Sequence, residues 1–478
     1  MFLRPVFDPQ LAQYAYLVGC PDAGEALLVD PQRDVDRYVA LAQADDLAIT
    51  AVAETHVHAD FLSGARELAE RHDATVYRSA EGGPDRRCEW AENYDVRLLD
   101  DGDSFSVGEV ELEALHTPGH TPEHLSFLVT DGRGDGAPPM GLLSGDCVFV
   151  GDTGRPDLLE TAAGERGAAA DGARALFESV QRVLDLDDYL QVWPGHGAGS
   201  ACGKALGDVP ATTVGYERRI SPALKAARDG EAAFTDYILE DQPEPPLYFA
   251  RMKTLNRDGP PLLGERPAPP ALSAGDLSDL DATAGATVLD LRPDRAAAMR
   301  SHLPGAIYIP SLRRLPTIAG SYVAPEQPIY LVLAEERVEE AVRSLVRVGL
   351  DRVAGYATPQ TLAAYAEEGG ALASVPVIDM DEMDARRRDD GTQVIDVRSR
   401  SEHRSGHVPG ALLAPHPRLP EQTERLPTDR TLLVHCGGGV RASSAASLLA
   451  RRGFDVVHVN DRFSNWSDAH PDELRKAA

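Results

Sequence analysis

A short segment of the chain places two histidines close to a carboxylate. The segment ETHVHADF, residues 54–61, directly follows an apolar run that is typical of a buried strand. Imidazole nitrogens and carboxylate oxygens are common protein ligands of zinc and iron. Because His56 and His58 are two positions apart where the strand ends, they and Asp60 can converge on one cation. The segment therefore predicts a metal centre.

Three later segments carry side chains of the same type. They are HTPGHT at 116–121, SGD at 144–146 and PGHG at 194–197, each beside an apolar strand and close to glycine or proline. Loops at strand ends are where a rigid sheet presents functional groups. A lone loop histidine is more often a hydrogen-bonded structural residue, but four such segments favour a shared metal site.

A cysteine near the C-terminus lies in a loop that suits sulfur chemistry. The segment HCGGGVRASS, residues 435–444, follows the apolar stretch TLLV and precedes a predicted helix. Its glycines let successive backbone N–H groups point at the sulfur of Cys436, and the helix N-terminus and Arg441 add positive potential. The pattern favours a reactive thiolate that carries a persulfide. A small, buried, inert side chain is the alternative.

The elements that must position these groups differ along the chain. Up to about residue 262, short apolar runs alternate with turn residues, which predicts a strand-rich domain with one helix over 171–186. The Pro/Gly-rich passage NRDGPPLLGERPAPPALS, from Asn256, predicts a domain boundary. Beyond it, VLDLRPDRAAAMRSHLPGA recurs as VIDVRSRSEHRSGHVPGA roughly 105 positions later, which predicts two parallel α/β units.

Length, charge and cysteine content exclude several classes of protein. The 478 residues suggest roughly three domains. A hydrophobic content of 43% with 26% charged residues is typical of a globular chain, and the formal charge of −29 argues against a nucleic-acid partner. No membrane span or signal peptide is predicted. Five widely spaced cysteines favour free thiols, so the expected compartment is the cytoplasm.

The histidine and aspartate segments resemble those of the metallo-β-lactamase superfamily over about residues 1–245. The resemblance implies an αββα sandwich of α+β class, and we expect the domain to occupy residues 1–262. The first motif of the superfamily usually ends in histidine, whereas Phe61 stands here. In binuclear members such as glyoxalase II-type hydrolases, that histidine binds a second metal, so Phe61 favours a mononuclear centre.

Within this superfamily, the chain most resembles the persulfide dioxygenases. The resemblance implies one Fe(II) per chain, held by His56, His120 and Asp146, with open positions for dioxygen and substrate. It also implies three residues that orient the ligands and bound water through hydrogen bonds: His58, Asp60 and His196.

Two further residues belong to the predicted pocket. In GRPD at 154–157, which resembles a persulfide dioxygenase element, Arg155 would shape the substrate pocket or, alternatively, form a surface ion pair with Asp157. Cys202, in WPGHGAGSACGK, would relay sulfur or simply fill space. The other cysteines of this part are expected to be inert, the last of them buried on a strand: Cys20, Cys88 and Cys147.

The loop around Cys436 resembles the active site of the rhodanese sulfurtransferases. The resemblance implies an active α/β rhodanese domain at 373–478, with Cys436 and Arg441 as catalytic residues. The preceding copy, residues 270–372, contains no cysteine. It is expected to be an inactive rhodanese-homology domain, so the whole chain resembles persulfide dioxygenase–rhodanese fusion proteins.

The resemblance implies an enzyme of sulfide detoxification. The iron domain would convert a low-molecular-weight thiol persulfide, water and dioxygen into sulfite and free thiol. Cys436 would then pass sulfane sulfur to sulfite, giving thiosulfate. The carrier thiol stays open among glutathione, coenzyme A, bacillithiol and mycothiol, and a homo-oligomer is expected. Two alternatives remain: a Zn(II)-dependent glyoxalase II-like thioester hydrolase with an accessory rhodanese domain, and a non-enzymatic sulfide sensor or sulfur carrier.

Overall fold

The chain divides into two compact units, Met1–Gly264 and Glu265–Ala478. This division lies within the Pro/Gly-rich passage. The computed structural model describes residues 1–83, 89–132, 136–161, 164, 166–280 and 285–475. Among these described residues, no helix combines the length and the apolar character that crossing a membrane requires.

Two six-stranded sheets form the centre of the first unit. The first sheet has its strands in chain order: β1 (Phe2–Asp8), β2 (Gln13–Cys20), β3 (Glu25–Val29), β4 (Ala48–Ala53), β5 (Thr75–Ser79) and β6 (Val96–Leu99). The second sheet also has its strands in chain order: β7 (Ser104–Val107), β8 (Val110–His116), β9 (Leu125–Asp131), β10 (Gly141–Gly145), β11 (Gln191–Pro194) and β12 (Thr212–Thr213).

Side chains that alternate between the two faces of each strand produce one inner hydrophobic core and two outer cores. In β3, Leu27 and Val29 pack into the core that both sheets share, whereas Ala26 and Leu28 belong to the core that includes two helices. Successive side chains of a strand point to opposite faces, so one strand can serve both cores. The helices of this unit are α1 (Asp36–Ala44), α2 (Ala65–His72), α3 (Leu158–Thr161), α4 (Ala168–Leu184), α5 (Val214–Ile220), α6 (Pro222–Asp229), α7 (Glu231–Leu239) and α8 (Phe249–Asp258).

Helices cover the outer faces of the two sheets. Helices α1 and α2 supply buried side chains to the outer core of the first sheet, and α4, α6 and α7 do the same for the second sheet. The predicted αββα sandwich is therefore confirmed.

The helix predicted over 171–186 is observed as α4. The sequence-based prediction missed α1 to α3 and α5 to α8, none of which exceeds 10 residues, because such short helices repeat their apolar pattern for at most about three turns. It also began the linker too early. Helix α8 continues to Asp258, and its Asn256 is buried against the loop that follows β4.

The second unit contains two parallel sheets, one in each copy of the repeated sequence. The first has the order β14-β13-β15-β16 and the second the order β17-β21-β20-β18-β19. All neighbouring strands in both are parallel, which confirms the predicted α/β class. Because both sheets lie in one compact unit, the division into separate domains at 270–372 and 373–478 stays a prediction.

The first copy contains β13 (Thr287–Asp290), β14 (Ile307–Tyr308), β15 (Ile329–Val332), β16 (Val353–Ala357), α9 (Ala274–Ser278), α10 (Arg295–Arg300), α11 (Leu315–Tyr322), α12 (Val338–Arg347) and α13 (Pro359–Glu367). The second copy contains β17 (Val377–Ile378), β18 (Thr392–Asp396), β19 (Leu412–Leu413), β20 (Thr431–His435), β21 (Val456–Val459), α14 (Met380–Arg386), α15 (Arg400–Ser405), α16 (Leu419–Gln422), α17 (Val440–Arg451) and α18 (Phe463–Ala469).

The repeated Asp-x-Arg motif has the same structural role in both copies. Arg292 pairs with Asp290 at 2.6 Å, and Arg398 pairs with Asp396 at 2.6 Å. In each case the guanidinium also donates to a main-chain carbonyl that lies further along the chain. The motif therefore fixes the chain after the first long strand of each sheet.

Candidate functional site

Three buried side chains from different loops meet in the first unit. His56 follows β4, His120 lies between β8 and β9, and Asp146 follows β10. Their potential ligand atoms all lie within 4.8 Å of one another. Nε2 of His120 lies 3.5 Å from Oδ2 of Asp146. The structure thus brings together the three residues to which the persulfide dioxygenase resemblance points.

Hydrogen bonds fix the tautomers of the two imidazoles. The hydroxyl of Thr55 donates to Asp30 at 2.8 Å, so its oxygen accepts from Nδ1 of His56 at 2.9 Å. Nδ1 of His120 donates to the carbonyl of Arg155 at 3.0 Å. In both rings Nε2 keeps its lone pair. Burial lowers the pKa of both imidazoles, that of His120 to about 3, and a neutral imidazole is the form that binds metals.

The Asp146 carboxylate is buried, and the imidazoles of His120 and His196 come no closer to it than 3.5 and 3.7 Å. Neither of its carboxylate oxygens has a hydrogen-bond partner among the described residues, and burial raises its pKa to about 6. Gly195 allows the carboxylate to come close, because a Cβ there would lie 2.6 Å from Oδ1. A buried carboxylate costs free energy unless a cation compensates it. The donor set fits a divalent metal ion, and the trio forms a metal-binding site.

A second group of potential ligands adjoins the first. The ligand atoms of Asp60, His196 and Cys202 also lie within 4.8 Å of one another. Nε2 of His196 lies 3.5 Å from Oδ2 of Asp60 and 3.7 Å from Oδ1 of Asp146, so His196 lies between the two groups. The thiol of Cys202 is buried, and burial raises its pKa well above the ordinary value.

His58 is held away from a ligand role by a buried acid. Its Nε2 donates to Oδ1 of Asp30 at 3.1 Å. Burial lowers the pKa of His58, but Asp30 more than offsets this and raises it to about 9. A protonated imidazole has no lone pair for a metal. Phe61, fully buried, stacks on this ring with centroids 4.3 Å apart and contributes no ligand atom.

All three guanidinium nitrogens of Arg155 form hydrogen bonds within the protein. Its Nε and Nη2 donate to the two oxygens of Asp157 at 2.7 and 2.6 Å, and Nη1 donates to the carbonyls of Ala201 and Pro243. The ion pair with Asp157 is therefore formed, but it is buried and not on the surface. The main chain of Arg155 bonds Cys202 as well, so this residue joins the loops around the metal site. A direct role in substrate binding stays a prediction.

Three residues that shape the site were not predicted from the sequence. Asp30 ends the predicted strand EALLVD and accepts the main-chain N–H of Thr55 at 2.8 Å. His124 accepts the N–H of Asp146 at 2.9 Å through Nε2. Asn256 donates to the carbonyl of Phe61 at 2.7 Å. The histidine at the end of HTPEH could have been noticed, but no local pattern indicates the partners of the other two.

The remaining cysteines of the first unit lie apart from these groups. Cys147 was predicted on a strand, but β10 ends at Gly145, and the N–H of Cys147 turns back to the carbonyl of Ser144 at 3.0 Å. It is buried, as expected, and burial raises its pKa to about 12. Cys20 is also buried. Cys88 lies outside the described residues.

Cys436 lies at the C-terminal end of β20, almost fully buried. The loop that follows contains Gly439, whose φ of +77° lies in the left-handed region. A Cβ on Gly439 would lie 2.5 Å from Oδ1 of Asn460, so both its conformation and the close approach require glycine. Nε2 of His458 donates to the carbonyl of Gly439 at 2.9 Å. These contacts hold the loop in place.

The Arg441 guanidinium interacts with both Glu402 and Cys436. Its guanidinium donates to both oxygens of Glu402, with Nη2 2.7 Å from Oε1, and it is close enough to Cys436 for their charges to interact. Burial raises the pKa of Glu402, but Arg441 more than offsets this and lowers it to about 2. The positive potential that the sequence predicts at Cys436 is therefore partly neutralised by Glu402.

Known proteins match both units. The family model of the metallo-β-lactamase superfamily matches residues 8–196, and that of the rhodanese-like domain matches residues 379–469. A probable metallo-hydrolase of Burkholderia pseudomallei is 30% identical over 224 residues, which are 41% of this chain and 72% of the relative. Human mitochondrial persulfide dioxygenase ETHE1 is 26% identical over 229 residues, which are 47% of this chain and 76% of the relative.

A solved structure matches more of the chain. The crystal structure of a metallo-β-lactamase from Staphylococcus aureus has 40% sequence identity and a TM-score of 0.66, and the match covers 75% of this chain and 99% of that one. With this fold and this metal site, the chain belongs to the metallo-β-lactamase superfamily. It joins a domain homologous to persulfide dioxygenases to a C-terminal rhodanese-like domain, as the sequence predicted. Both domains are those of enzymes.

Proposed function

We propose that the first unit is a persulfide dioxygenase and that Cys436 serves a coupled sulfurtransferase. The first reaction converts a low-molecular-weight thiol persulfide, dioxygen and water into free thiol, sulfite and two protons. In the second, the outer sulfur of another persulfide is transferred through Cys436 to sulfite, giving thiosulfate. The metal is one Fe(II) per chain, with His56, His120 and Asp146 as its ligands.

The arrangement of the metal site carries this proposal. Two neutral imidazoles and one uncompensated carboxylate form a three-ligand set, while His58 is bound by Asp30 and Phe61 supplies a carbon ring. Such a facial set leaves positions open for dioxygen and substrate. The similarity to the human protein named persulfide dioxygenase supports the same chemistry.

The chain's own residues prepare the ligands. A bound iron ion supplies the redox chemistry that insertion of oxygen into sulfane sulfur needs. Thr55 orients His56, the carbonyl of Arg155 orients His120, and the imidazole of His124 holds the main chain at Asp146. Such supporting hydrogen bonds fix the ligand orientation. Burial of the whole group excludes bulk water from the reacting sulfur.

Four neighbouring side chains belong to the same proposal. Asp60 and His196, 3.5 Å apart, would orient bound water, and the charge of His58 balances Asp30 behind the ligands. Cys202, whose thiol lies near His196, would contact the persulfide. None of these residues is needed as a ligand in the mononuclear arrangement.

The transfer step needs no further oxidant. The Cys436 thiolate attacks the outer sulfur of a persulfide, a new S–S bond forms, and the electron pair of the broken S–S bond leaves with the carrier thiolate. Sulfite then attacks the outer sulfur on Cys436, which releases thiosulfate and the Cys436 thiolate. Tethering both reactions in one chain raises the effective concentration of sulfite near Cys436.

The test is iron quantitation combined with oxygen uptake. We expect about one iron per chain, and oxygen consumption with at least one member of a panel of glutathione, coenzyme A, bacillithiol and mycothiol persulfides. His120→Ala is expected to abolish oxygen uptake, whereas Cys436→Ser is expected to retain it. Iron-loaded protein that consumes no oxygen with any of these persulfides would refute the proposal.

A zinc thioester hydrolase is the second candidate. The observation that favours it is the second ligand group of Asp60, His196 and Cys202, because binuclear hydrolases need two adjacent sites. The relative from Burkholderia pseudomallei is named a probable metallo-hydrolase. Two zinc ions per chain, together with hydrolysis of lactoylglutathione, would establish this alternative in place of the oxidative one.

A further inference from the structure

The first copy of the repeat in the second unit lacks a cysteine, yet it forms one wall of a cavity beside the loop that follows Cys436. The cavity has a volume of about 590 Å³. Its lining from the first copy includes Arg295, Tyr308 and Arg314, and its lining from the second copy includes Val440 and Asn460. Val440 begins α17 directly after the loop that contains Cys436, so the cavity adjoins the end of this loop.

The two arginines of this wall are close to the cysteine loop. Nη2 of Arg295 approaches the carbonyl of Gly438, two residues from Cys436, at 3.5 Å. Burial lowers the pKa of Arg314, and the nearby charge of Arg441 lowers it further, while Cys436 acts in the opposite direction. The charge of Arg314 is therefore close enough to interact with that of Cys436, and Arg295 contacts the loop that follows this cysteine.

Acidic side chains of the described residues do not neutralise these two guanidinium charges. Within the described part of the chain, neither Arg295 nor Arg314 forms an ion pair with a carboxylate, and Nε of Arg295 is buried without a hydrogen-bond partner. Oδ1 of Asn460 is likewise buried and without a partner. Asp294 also lines the cavity, but its carboxylate caps α10 by accepting the N–H of Ala297 at 2.9 Å. Arg441, by contrast, is paired with Glu402.

The wall is firmly attached to the catalytic copy. The guanidinium of Arg451, in α17, donates to the carbonyls of Gly305 and Ala286 at 2.6 and 2.8 Å. The N–H of Tyr308 donates to the hydroxyl of Ser447 at 2.9 Å. Because Tyr308 itself lines the cavity, these bonds fix the position of the arginines relative to Cys436.

We propose that the first copy completes the sulfur-transfer site, with Arg314 and Arg295 binding the small sulfur oxyanion that reacts at Cys436. The ligands are sulfite as acceptor and thiosulfate as product, or as donor when the reaction runs in reverse. This inference rests on the proposed sulfurtransferase role of Cys436, but not on the iron chemistry. Arginine suits the task because its N–H groups form paired, charge-assisted hydrogen bonds to oxyanions.

The transfer step is balanced in this arrangement. In reverse, the Cys436 thiolate attacks the outer sulfur of thiosulfate, an S–S bond forms on the cysteine, and sulfite departs with the electron pair of the broken bond. Thiosulfate and sulfite each carry two negative charges, so the oxyanion charge to be held is the same before and after transfer. The arginines bind this group and do not touch the proton balance.

The experiment compares two arginines of the first copy in the full-length protein. Arg314→Gln removes a charge from the cavity, whereas Arg300→Gln removes the same charge from the exposed end of α10, outside the cavity lining. With thiosulfate as donor and cyanide as acceptor, we expect Arg314→Gln to raise KM for thiosulfate about tenfold or more and to change kcat less than about twofold, since a charged hydrogen bond contributes at least this much. Arg300→Gln should match the wild type, and Arg314→Lys should recover part of the loss.

Direct binding separates the site from turnover. In a Cys436→Ser background, titration with thiosulfate and with sulfite should show binding that Arg314→Gln weakens about tenfold and that added salt weakens as well. Equal affinity in the Arg314 and Arg300 variants, or no binding of either anion, would overturn the inference. Should the Arg314→Gln protein fail to fold, Arg295→Gln supplies the same comparison.

The oxygen assay keeps this inference distinct from the proposed oxidation. Wild-type protein that cleaves thiosulfate but consumes no oxygen with persulfides would refute the oxidative function and leave the anion site standing. Oxygen uptake with persulfides, combined with an unchanged KM for thiosulfate in Arg314→Gln, would support the oxidative function and refute the anion site.

Discussion

The two copies of the repeat in the second unit share a scaffold but differ at one loop. Parallel sheets and paired Asp-x-Arg motifs occur in both. By strand register, Val332 ends β15 where His435 ends β20, so Leu333 occupies the position of Cys436. The next residues are Ala-Glu-Glu-Arg in the first copy and Gly-Gly-Gly-Val in the second. The comparison indicates that the scaffold tolerates either loop, and that the sequence of the loop distinguishes the copy that contains a cysteine.

Exchanging the nucleophile between the copies tests this comparison most strongly. Cys436→Ala should lower sulfurtransferase activity at least about 1,000-fold, because the nucleophile is lost. Adding Leu333→Cys to that variant should restore nothing, since acidic residues replace the glycines that follow. Steady-state assays with thiosulfate and cyanide measure both, with oxygen uptake as the control for the first unit. Substantial activity of the double variant would show that the loop sequence is not decisive.

The shared Asp-x-Arg motif should contribute unequally in the two copies. Asp396 is paired with Arg398 and also contacts His403, with 3.1 Å between Nδ1 and Oδ2, whereas Asp290 is paired with the more exposed Arg292. Burial raises the pKa of Asp396, but the neighbouring His435 and the hydrogen bonds from His403 and Arg398 lower it well below the ordinary range. Asp396→Asn should therefore cost about 3 kcal/mol or more, because breaking a buried pair leaves an uncompensated charge.

Hydrogen exchange of the strand amides in the full-length protein compares the stability that each copy loses when its aspartate is replaced. The free energy of opening should fall in β18 and β20 for Asp396→Asn, and by a smaller amount in β13 and β15 for Asp290→Asn. Equal losses in the two copies would mean that the extra histidine contact contributes nothing.

The sequence predicted what is local and missed what depends on tertiary contact. Helix α4 and the two parallel sheets follow from apolar periodicity, whereas the sandwich follows from the family resemblance. The resemblance also points to His56, His120 and Asp146, which stand in short motifs at strand ends. Arg314 and Asp30 carry no motif, because each acquires its role from residues distant in sequence. The strand predicted through Cys147 was wrong because a turn at Ser144 ends β10 although the residues beyond it remain apolar and buried.

Glycine at the turn into α17 provides a test of intermediate size. Gly439 and Gly453 both have positive φ, +77° and +86°, but of the two only Gly439 has neighbours within 4 Å of the position that an added Cβ would occupy. Alanine in the left-handed region costs roughly 1–2 kcal/mol at either site. Gly439→Ala should in addition displace the cysteine loop and lower sulfurtransferase activity about tenfold. Gly453→Ala should lower thermal stability alone, and a similar loss of activity in both variants would contradict the assignment of a special role to the loop.

The smallest expected effect concerns pH and the acid beside Arg441. The folded-state pKa of Glu402, about 2, lies below its ordinary value of 4.5, so its carboxylate stabilises the fold above about pH 4.5. This contribution should diminish as the pH falls from there towards 2, and Glu402→Gln should make the midpoint of thermal unfolding less dependent on pH in that window. The pair is partly exposed to solvent, which limits the gain. In the first copy, Glu340→Gln removes the acid of an exposed pair with Arg337 and should leave the pH dependence of wild type intact. A pH profile that Glu402→Gln and Glu340→Gln alter equally would show that the contact with Arg441 has no stabilising role specific to the cysteine loop.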